Sequence, residues 1–260
     1  MKINFSKYHG AGNDFILIDN RKRSVELSAV QIALLCDRHF GVGADGLMLL
    51  QESDKNDFVM RYFNADGNEA SLCGNGGRCI VSFARHLDII RNKTSFMAVD
   101  GQHEAKILTS AENVDIVNLK MNDVDSWEKK GKDTILDTGS PHFIRLVSDV
   151  DEIDVFTEGR KIRNSATYGK DGINVNFVST EEDGLKIRTY ERGVENETLA
   201  CGTGAVAAAL SSFFDNYNSP VLLNASGGAL KVSFDHKENK FTNIWLEGPA
   251  TFVFDGEINI

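Results

Sequence analysis

Short apolar runs separated by polar turns occupy most of this 260-residue chain. Runs rich in β-branched and aromatic residues suit a pleated, half-buried surface. They predict strands over 15–19, 47–50, 58–63, 114–121, 143–147, 173–178, 185–190, 231–234 and 251–254. Helical spacing is rarer. Residues 28–38 begin with Ser28 as an N-cap and place Ile32, Leu35 and Cys36 on one stripe. Residues 77–90 and 204–216 each follow a glycine-rich loop. The second of these is Ala-rich and apolar on nearly every side, the pattern of a helix buried all round. Each half of the chain therefore predicts several strands around one buried helix, an α/β (α+β) class. The polar stretch 122–133 marks a boundary. The expected lobes are 1–121 and 122–247, with the tail 248–260 returning to the first lobe as a strand.

The two loops are copies of one pattern. Asn68-Glu69-Ala70-Ser71-Leu72-Cys73-Gly74-Asn75-Gly76 and Asn196-Glu197-Thr198-Leu199-Ala200-Cys201-Gly202-Thr203-Gly204 both read N-E-x-x-x-C-G-x-G. Each has a tyrosine six residues before its Asn, at Tyr62 and Tyr190. The cysteines lie 128 positions apart (201 − 73). Gly12 to Leu17 matches Ser140 to Arg145 at the same offset, and Gly43 to Gly46 matches Gly169 to Gly172 at 126 (172 − 46). Three landmarks in one order imply a duplication giving two pseudo-symmetric lobes. The period is far longer than the roughly 20–50 residues of a solenoid repeat.

Charge narrows the partners. A net charge of −10 argues against a nucleic-acid footprint, which needs a basic patch. Met1 to His9 lacks the apolar core of a signal peptide, and the apolar stretch 204–214 is too short to span a bilayer. With four irregularly spaced cysteines, the expectation is a cytoplasmic protein, with no membrane partner and reduced thiols.

A helix N-terminus stabilises a thiolate through its partial positive charge and unpaired N–H groups. The glycines let a ligand approach the backbone. Amides of Gly74, Asn75, Gly202 and Thr203 are thus candidates to bind a carboxylate. Two thiols in equivalent settings suit chemistry on opposite faces of one carbon. Other readings compete. Cys36 and Cys79 read as small buried apolar residues. Cys73 with Cys79 has poor zinc spacing, and no matching His cluster follows, so no metal is expected. Gly74-Asn75-Gly76-Gly77 lacks the Lys-Ser/Thr of a phosphate loop, and no dinucleotide fingerprint is present.

At these residues the chain resembles the diaminopimelate epimerase family. The motifs run from Lys7-Tyr8-His9-Gly10-Ala11-Gly12-Asn13-Asp14-Phe15 through Gly41 to Gly46, Phe63 to Gly67, Cys73 to Cys79, Gly139-Ser140-Pro141-His142, Asn174-Val175 and Tyr190-Glu191-Arg192-Gly193 to Cys201-Gly202-Thr203-Gly204. The resemblance implies two lobes, each a β-sheet round a central helix, with the active site in the cleft between them. It implies interconversion of LL- and meso-diaminopimelate without any cofactor. Cys201 and Cys73 would be the two catalytic proton carriers. His142 and Glu191 would help set their acidities. The α-carboxylate would bind the amides after the cysteines. Asn13, Asn64, Asn174 and Arg192 would hold the distal end, with Glu191 near the distal amine. A homodimer is implied in the same way. Ser140 stands where many relatives carry Asn, and Gly46 where some carry Gln, which bears on distal contacts. Two rivals stand beside this reading. One is a racemase of the same fold acting on histidine or hydroxyproline. The other is a non-catalytic thiol redox switch or amino-acid-binding protein.

Overall fold

Both cysteine loops open helices that are buried along almost their whole length. The computed structural model describes residues 1–260. The chain forms two compact units, Met1–Leu119 with Gly248–Ile260, and Lys120–Glu247.

The first unit runs β1 (Lys2–Gly10), β2 (Asn13–Asp19), α1 (Ala29–Cys36), β3 (Gly46–Gln51), β4 (Phe58–Asn64), β5 (Glu69–Ala70), α2 (Gly74–His86), β6 (Lys93–Ala98), β7 (Gly101–Ala111) and β8 (Val114–Lys120). The second runs β9 (Trp127–Lys130), β10 (Asp133–Asp137), β11 (Pro141–Leu146), α3 (Val155–Arg163), β12 (Asn174–Glu181), β13 (Gly184–Glu191), β14 (Asn196–Thr198), α4 (Gly202–Ser212), β15 (Val221–Ala225), β16 (Gly228–Lys237) and β17 (Lys240–Asn259).

In the first unit β2 and β3 are parallel, β3 and β4 antiparallel, and β4 and β6 parallel. Antiparallel pairs β6–β7 and β7–β8 follow. Residues 248–251 of β17 then pair with β8, residues 251–259 with β1, and β1 with β2. The ladder therefore closes on itself and leaves no free edge. The second unit repeats this order. β11 and β12 are parallel, β12 and β13 antiparallel, β13 and β15 parallel, and β15, β16 and β17 antiparallel. A Val124–Phe241 bridge leads back toward β9 and β10.

Each ladder has an apolar interior, and one helix fills it. In α2 every residue from Gly74 to Ala84 is buried. In α4 every residue but Thr203 is buried. Small residues make the fit possible. A Cβ at Gly10 would lie 2.8 Å from the Asn75 carbonyl oxygen, where β1 passes the start of α2. A Cβ at Gly204 would lie 2.5 Å from Asn176 Oδ1. The outer helices are more exposed. Ser28 caps α1 in a reciprocal capping box with Gln31.

The helix predicted over 77–90 begins three residues earlier, at Gly74. The one predicted over 204–216 is α4 followed by a 3₁₀ turn at Phe213–Asp215. The polar stretch 122–133 is not irregular throughout: β9 lies within it, in a hairpin with β10. No helix is long and apolar enough to cross a membrane.

Candidate active site

Cys73 is the N-cap of α2, with extended backbone at φ −87° and ψ 128°. Its carbonyl accepts the Gly77 N–H at 2.7 Å. The N–H groups of the first turn have no partner within a helix, and Gly74 and Asn75 carry two of them. Asn13, at the start of β2, faces this turn. Its Oδ1 accepts from Cys73 Sγ at 3.6 Å and from Asn75 Nδ2 at 3.4 Å. Its Nδ2 donates to Asp45 Oδ2 at 2.6 Å. Behind Asn13 stands a charged cluster. Arg38 bridges Asp14 and Asp45, each at 2.7 Å, and Lys7 pairs with Asp14 at 2.7 Å. Burial acts to raise the Asp14 pKa, but hydrogen bonds from Arg38 and Lys7 outweigh it and hold the group at about 2.

Arg78 lies on the same helix and is fully buried. It donates to Asn75 Oδ1 at 2.8 Å, Gly74 O at 3.1 Å and Pro249 O at 3.3 Å. Burial lowers its pKa. Asn64 ends β4 on an exposed turn closed by Gly67 N–H to Asn64 O. It stands outside the hydrogen-bonded set around Cys73.

Cys201 holds the equivalent place on α4, as an extended N-cap at φ −114° and ψ 113°. Its Sγ is 3.5 Å from Thr203 Oγ1, which is 3.0 Å from His142 Nε2. His142 Nδ1 is 3.1 Å from Asn176 Nδ2. Thr138 Oγ1 donates to the Thr203 carbonyl at 2.9 Å. Close by in sequence, Asn174 ties three predicted positions together. Its Nδ2 donates to Ser140 Oγ at 2.7 Å, and its Oδ1 accepts the Arg192 N–H at 2.9 Å. Arg192 also donates to the Asp171 carbonyl at 3.2 Å. Glu191 accepts from Thr198 Oγ1 at 2.9 Å.

Burial pulls the His142 pKa down to about 3, with the Arg192 charge adding to the effect. The folded pKa is thus below the unfolded 6.5. The unfolded chain binds the extra proton first, so this contribution to stability is full above pH 6.5 and declines as pH falls toward 3. Asp14 loses its contribution only lower, below its ordinary 3.8 and through about 2. Denaturant midpoints at pH 7 and pH 4.5 check the separation. The protein is expected to be less stable at pH 4.5, and His142→Gln to flatten that difference. An unchanged difference in the variant refutes the assignment to His142.

Cys36 and Cys79 behave as the buried apolar residues expected of them. Burial raises Cys36 to about 12 and also raises Cys79. No group of three or more His, Cys, Asp or Glu side chains is placed to hold a metal ion. Participants not read from the sequence include Asp45, Arg78 and Asn176. Asn176 had a usable signal, since an asparagine inside the apolar run 173–178 needs partners once buried. The internal repeat gives no signal for Arg78, because the second loop has Val206 at the matching position.

The family model described as diaminopimelate epimerase matches residues 5–125 and 134–253. The diaminopimelate epimerase of Flavobacterium psychrophilum is 48% identical over 256 residues, covering 97% of this chain and 98% of the relative. That of Chlorobaculum tepidum is 46% identical over 260 residues, covering 96% and 99%. Among solved structures, a Bacillus anthracis phenazine biosynthesis protein of the PhzF family superposes with a TM-score of 0.77 at 14% identity, covering all of both chains. A hydroxyproline epimerase from Agrobacterium vitis, with trans-4-hydroxy-L-proline bound, gives 0.72 at 11% identity, covering 99% and 92%. At these identities the structural likeness concerns the fold.

Proposed function

Because the chain belongs to the diaminopimelate epimerase family, we propose that it interconverts LL- and meso-diaminopimelate by two-base proton transfer at the α-carbon. The supporting observation is that Cys73 and Cys201 each cap a buried helix. The thiolate of one cysteine takes the α-proton and becomes a thiol. The thiol of the other gives its proton to the opposite face and becomes the thiolate. The reverse reaction exchanges the roles.

The amides of Gly74, Asn75, Gly202 and Thr203 bind the α-carboxylate and stabilise charge that develops as the proton leaves. Asn13, Asn64 and Asn174 hydrogen-bond the substrate, and Arg192 reads its distal carboxylate, since a guanidinium fork matches two oxygens. Glu191 meets the distal amine. His142 and Glu191 tune the thiols. In this reading the enzyme is a cytoplasmic homodimer that serves lysine and cell-wall precursor synthesis and needs no cofactor.

Proton NMR of the purified protein with LL-diaminopimelate in D2O tests this. Loss of the α-proton signal with growth of the meso isomer is expected, with nothing added. A flat spectrum from folded, reduced protein rejects the substrate. Exchange with histidine or hydroxyproline instead would move the activity to a sister racemase. No exchange with any of them would leave a binding or redox role.

A further inference from the structure

The Asn13 amide is held from both ends by charged groups that act in one sense only. Arg78 can only donate, and it gives a hydrogen to Asn75 Oδ1 at 2.8 Å. Asn75 therefore turns Nδ2 the other way, and that group meets Asn13 Oδ1 at 3.4 Å. At the far end the Asp45 carboxylate takes the Asn13 Nδ2 hydrogen at 2.6 Å. The Asn13 carbonyl oxygen is thereby fixed toward the Cys73 turn, 3.6 Å from Sγ.

Asp45 is itself placed by its loop. Parallel pairing sets Phe15 of β2 opposite Gly46 of β3, and the Asp45 N–H donates to the Asp14 carbonyl at 2.9 Å. Asp45 Oδ2 accepts the Asp14 N–H at 3.2 Å as well as Asn13, and Oδ1 accepts from Arg38 at 2.7 Å. Gly43 lets the loop pass close to Arg38: its φ is +79°, and a Cβ there would lie 3.0 Å from Arg38 Cα. Little of this is needed to hold the sheet. Asp14 already pairs with Lys7 and Arg38, and its side chain is 18% exposed against 42% for Asp45. An ion pair as open to water as Asp45–Arg38 contributes little to stability.

Given the two-thiol epimerase reading, on which this rests, we propose that Asp45 is a positioning residue: by fixing the Asn13 amide it keeps an acceptor oxygen beside Cys73 for the α-ammonium of the substrate. That ammonium is attached to the carbon Cys73 serves, so it is the substrate donor nearest this oxygen. Asn13 was expected at the distal end, but its contact with Cys73 assigns it to the reacting end. A turned amide would present N–H groups to a cation and lose the contact. The carboxylate also makes the Asn13 hydrogen bond a charge-assisted one, which polarises the amide and strengthens its oxygen as an acceptor.

Steady-state epimerisation of LL-diaminopimelate tests this in the unaltered protein, in Asp45→Ala, and in Asp45→Ala combined with Asn13→Asp. An ammonium contact is made in ground and transition states alike, so its loss raises KM and spares kcat. Asp45→Ala is expected to raise KM about tenfold, with kcat within about threefold. A carboxylate at position 13 offers an oxygen whichever way it turns and needs no partner to orient it. The double variant should therefore bring KM back to within about threefold of the unaltered protein. An unchanged KM in Asp45→Ala overturns the proposal, as does a fall in kcat alone, the mark of a merely structural role. So does a double variant whose KM stays as high as that of Asp45→Ala. The orientation itself is read without substrate. The Asn13 side-chain amide, assigned in a proton–nitrogen correlation spectrum by its absence from Asn13→Asp, should have one proton shifted downfield by the carboxylate and returned upfield in Asp45→Ala. An unaltered protein inactive on diaminopimelate sinks the substrate, whereas an Asn13 amide signal that Asp45→Ala leaves in place sinks the positioning role.

Discussion

Serine at position 201 is expected to lower the rate of diaminopimelate epimerisation at least about a thousandfold, and serine at position 73 to do the same. A positioned acid or base contributes roughly 10²–10⁴ in rate. A hydroxyl in place of the thiol cannot supply an anion near neutral pH, even at a helix N-terminus. The loss should be selective. With one thiol gone, the α-proton facing the other can still leave and return on the same face. Each variant should therefore keep slow solvent exchange into one isomer while failing to produce the other. Deuterium incorporation and isomer composition, measured together in D2O, separate these outcomes. Epimerisation within about tenfold of the unaltered protein, in either variant, removes that cysteine from the reacting carbon.

The elements that carry the cysteines were legible because their patterns are local. Gly-rich entry, an Ala-rich or apolar stretch, and a matching copy elsewhere in the chain mark α2 and α4 without tertiary knowledge. The strands facing them, β2 to β4 and β11 to β13, are apolar enough to read as runs. The strands that were missed are two-faced. In β7, His103, Ala105 and Ile107 point inward between Gln102, Glu104 and Lys106, so the run looks polar until its partners supply a core face. The same holds for β1, where Lys7 is buried against Asp14, and for α3, which buries only Val155 and Gly159. The site divides in the same way. Cys73, Cys201, His142 and Asn13 sit in recognisable motifs. Asp45 and Asn176 act on them through contacts 32 and 34 residues away in sequence, and no local pattern announces such a contact. Asn176 matters only because β11 and β12 pair in parallel and bring it beside His142.

Arg78→Met is expected to lower stability by about 3 kcal/mol and to reduce turnover beyond the fraction of protein that unfolds. Two effects oppose each other. Removing the guanidinium relieves the burial of a charge, a cost registered in its lowered pKa. It also leaves Asn75 Oδ1, Gly74 O and Pro249 O without this donor. A hydrogen bond from a charged donor is worth about 1.5–3 kcal/mol, and methionine replaces none of the three. Three losses outweigh one relief, and the Pro249 contact is also the one by which Arg78 reaches β17. Function is affected through Asn75, whose amide loses the donor that turns Nδ2 toward Asn13. Arg78→Lys sharpens the test. An ammonium restores the charge but not the planar fork that reaches several acceptors at fixed angles. Urea titrations should rank the proteins Arg, Lys, Met in falling midpoint, with kcat falling in the same order. A Met variant within about 0.5 kcal/mol of the unaltered protein, the range of an inert surface change, would mean that charge relief wins and that Arg78 does not brace the loop. A Lys variant indistinguishable from Arg would assign the bracing to charge rather than to the three hydrogen bonds.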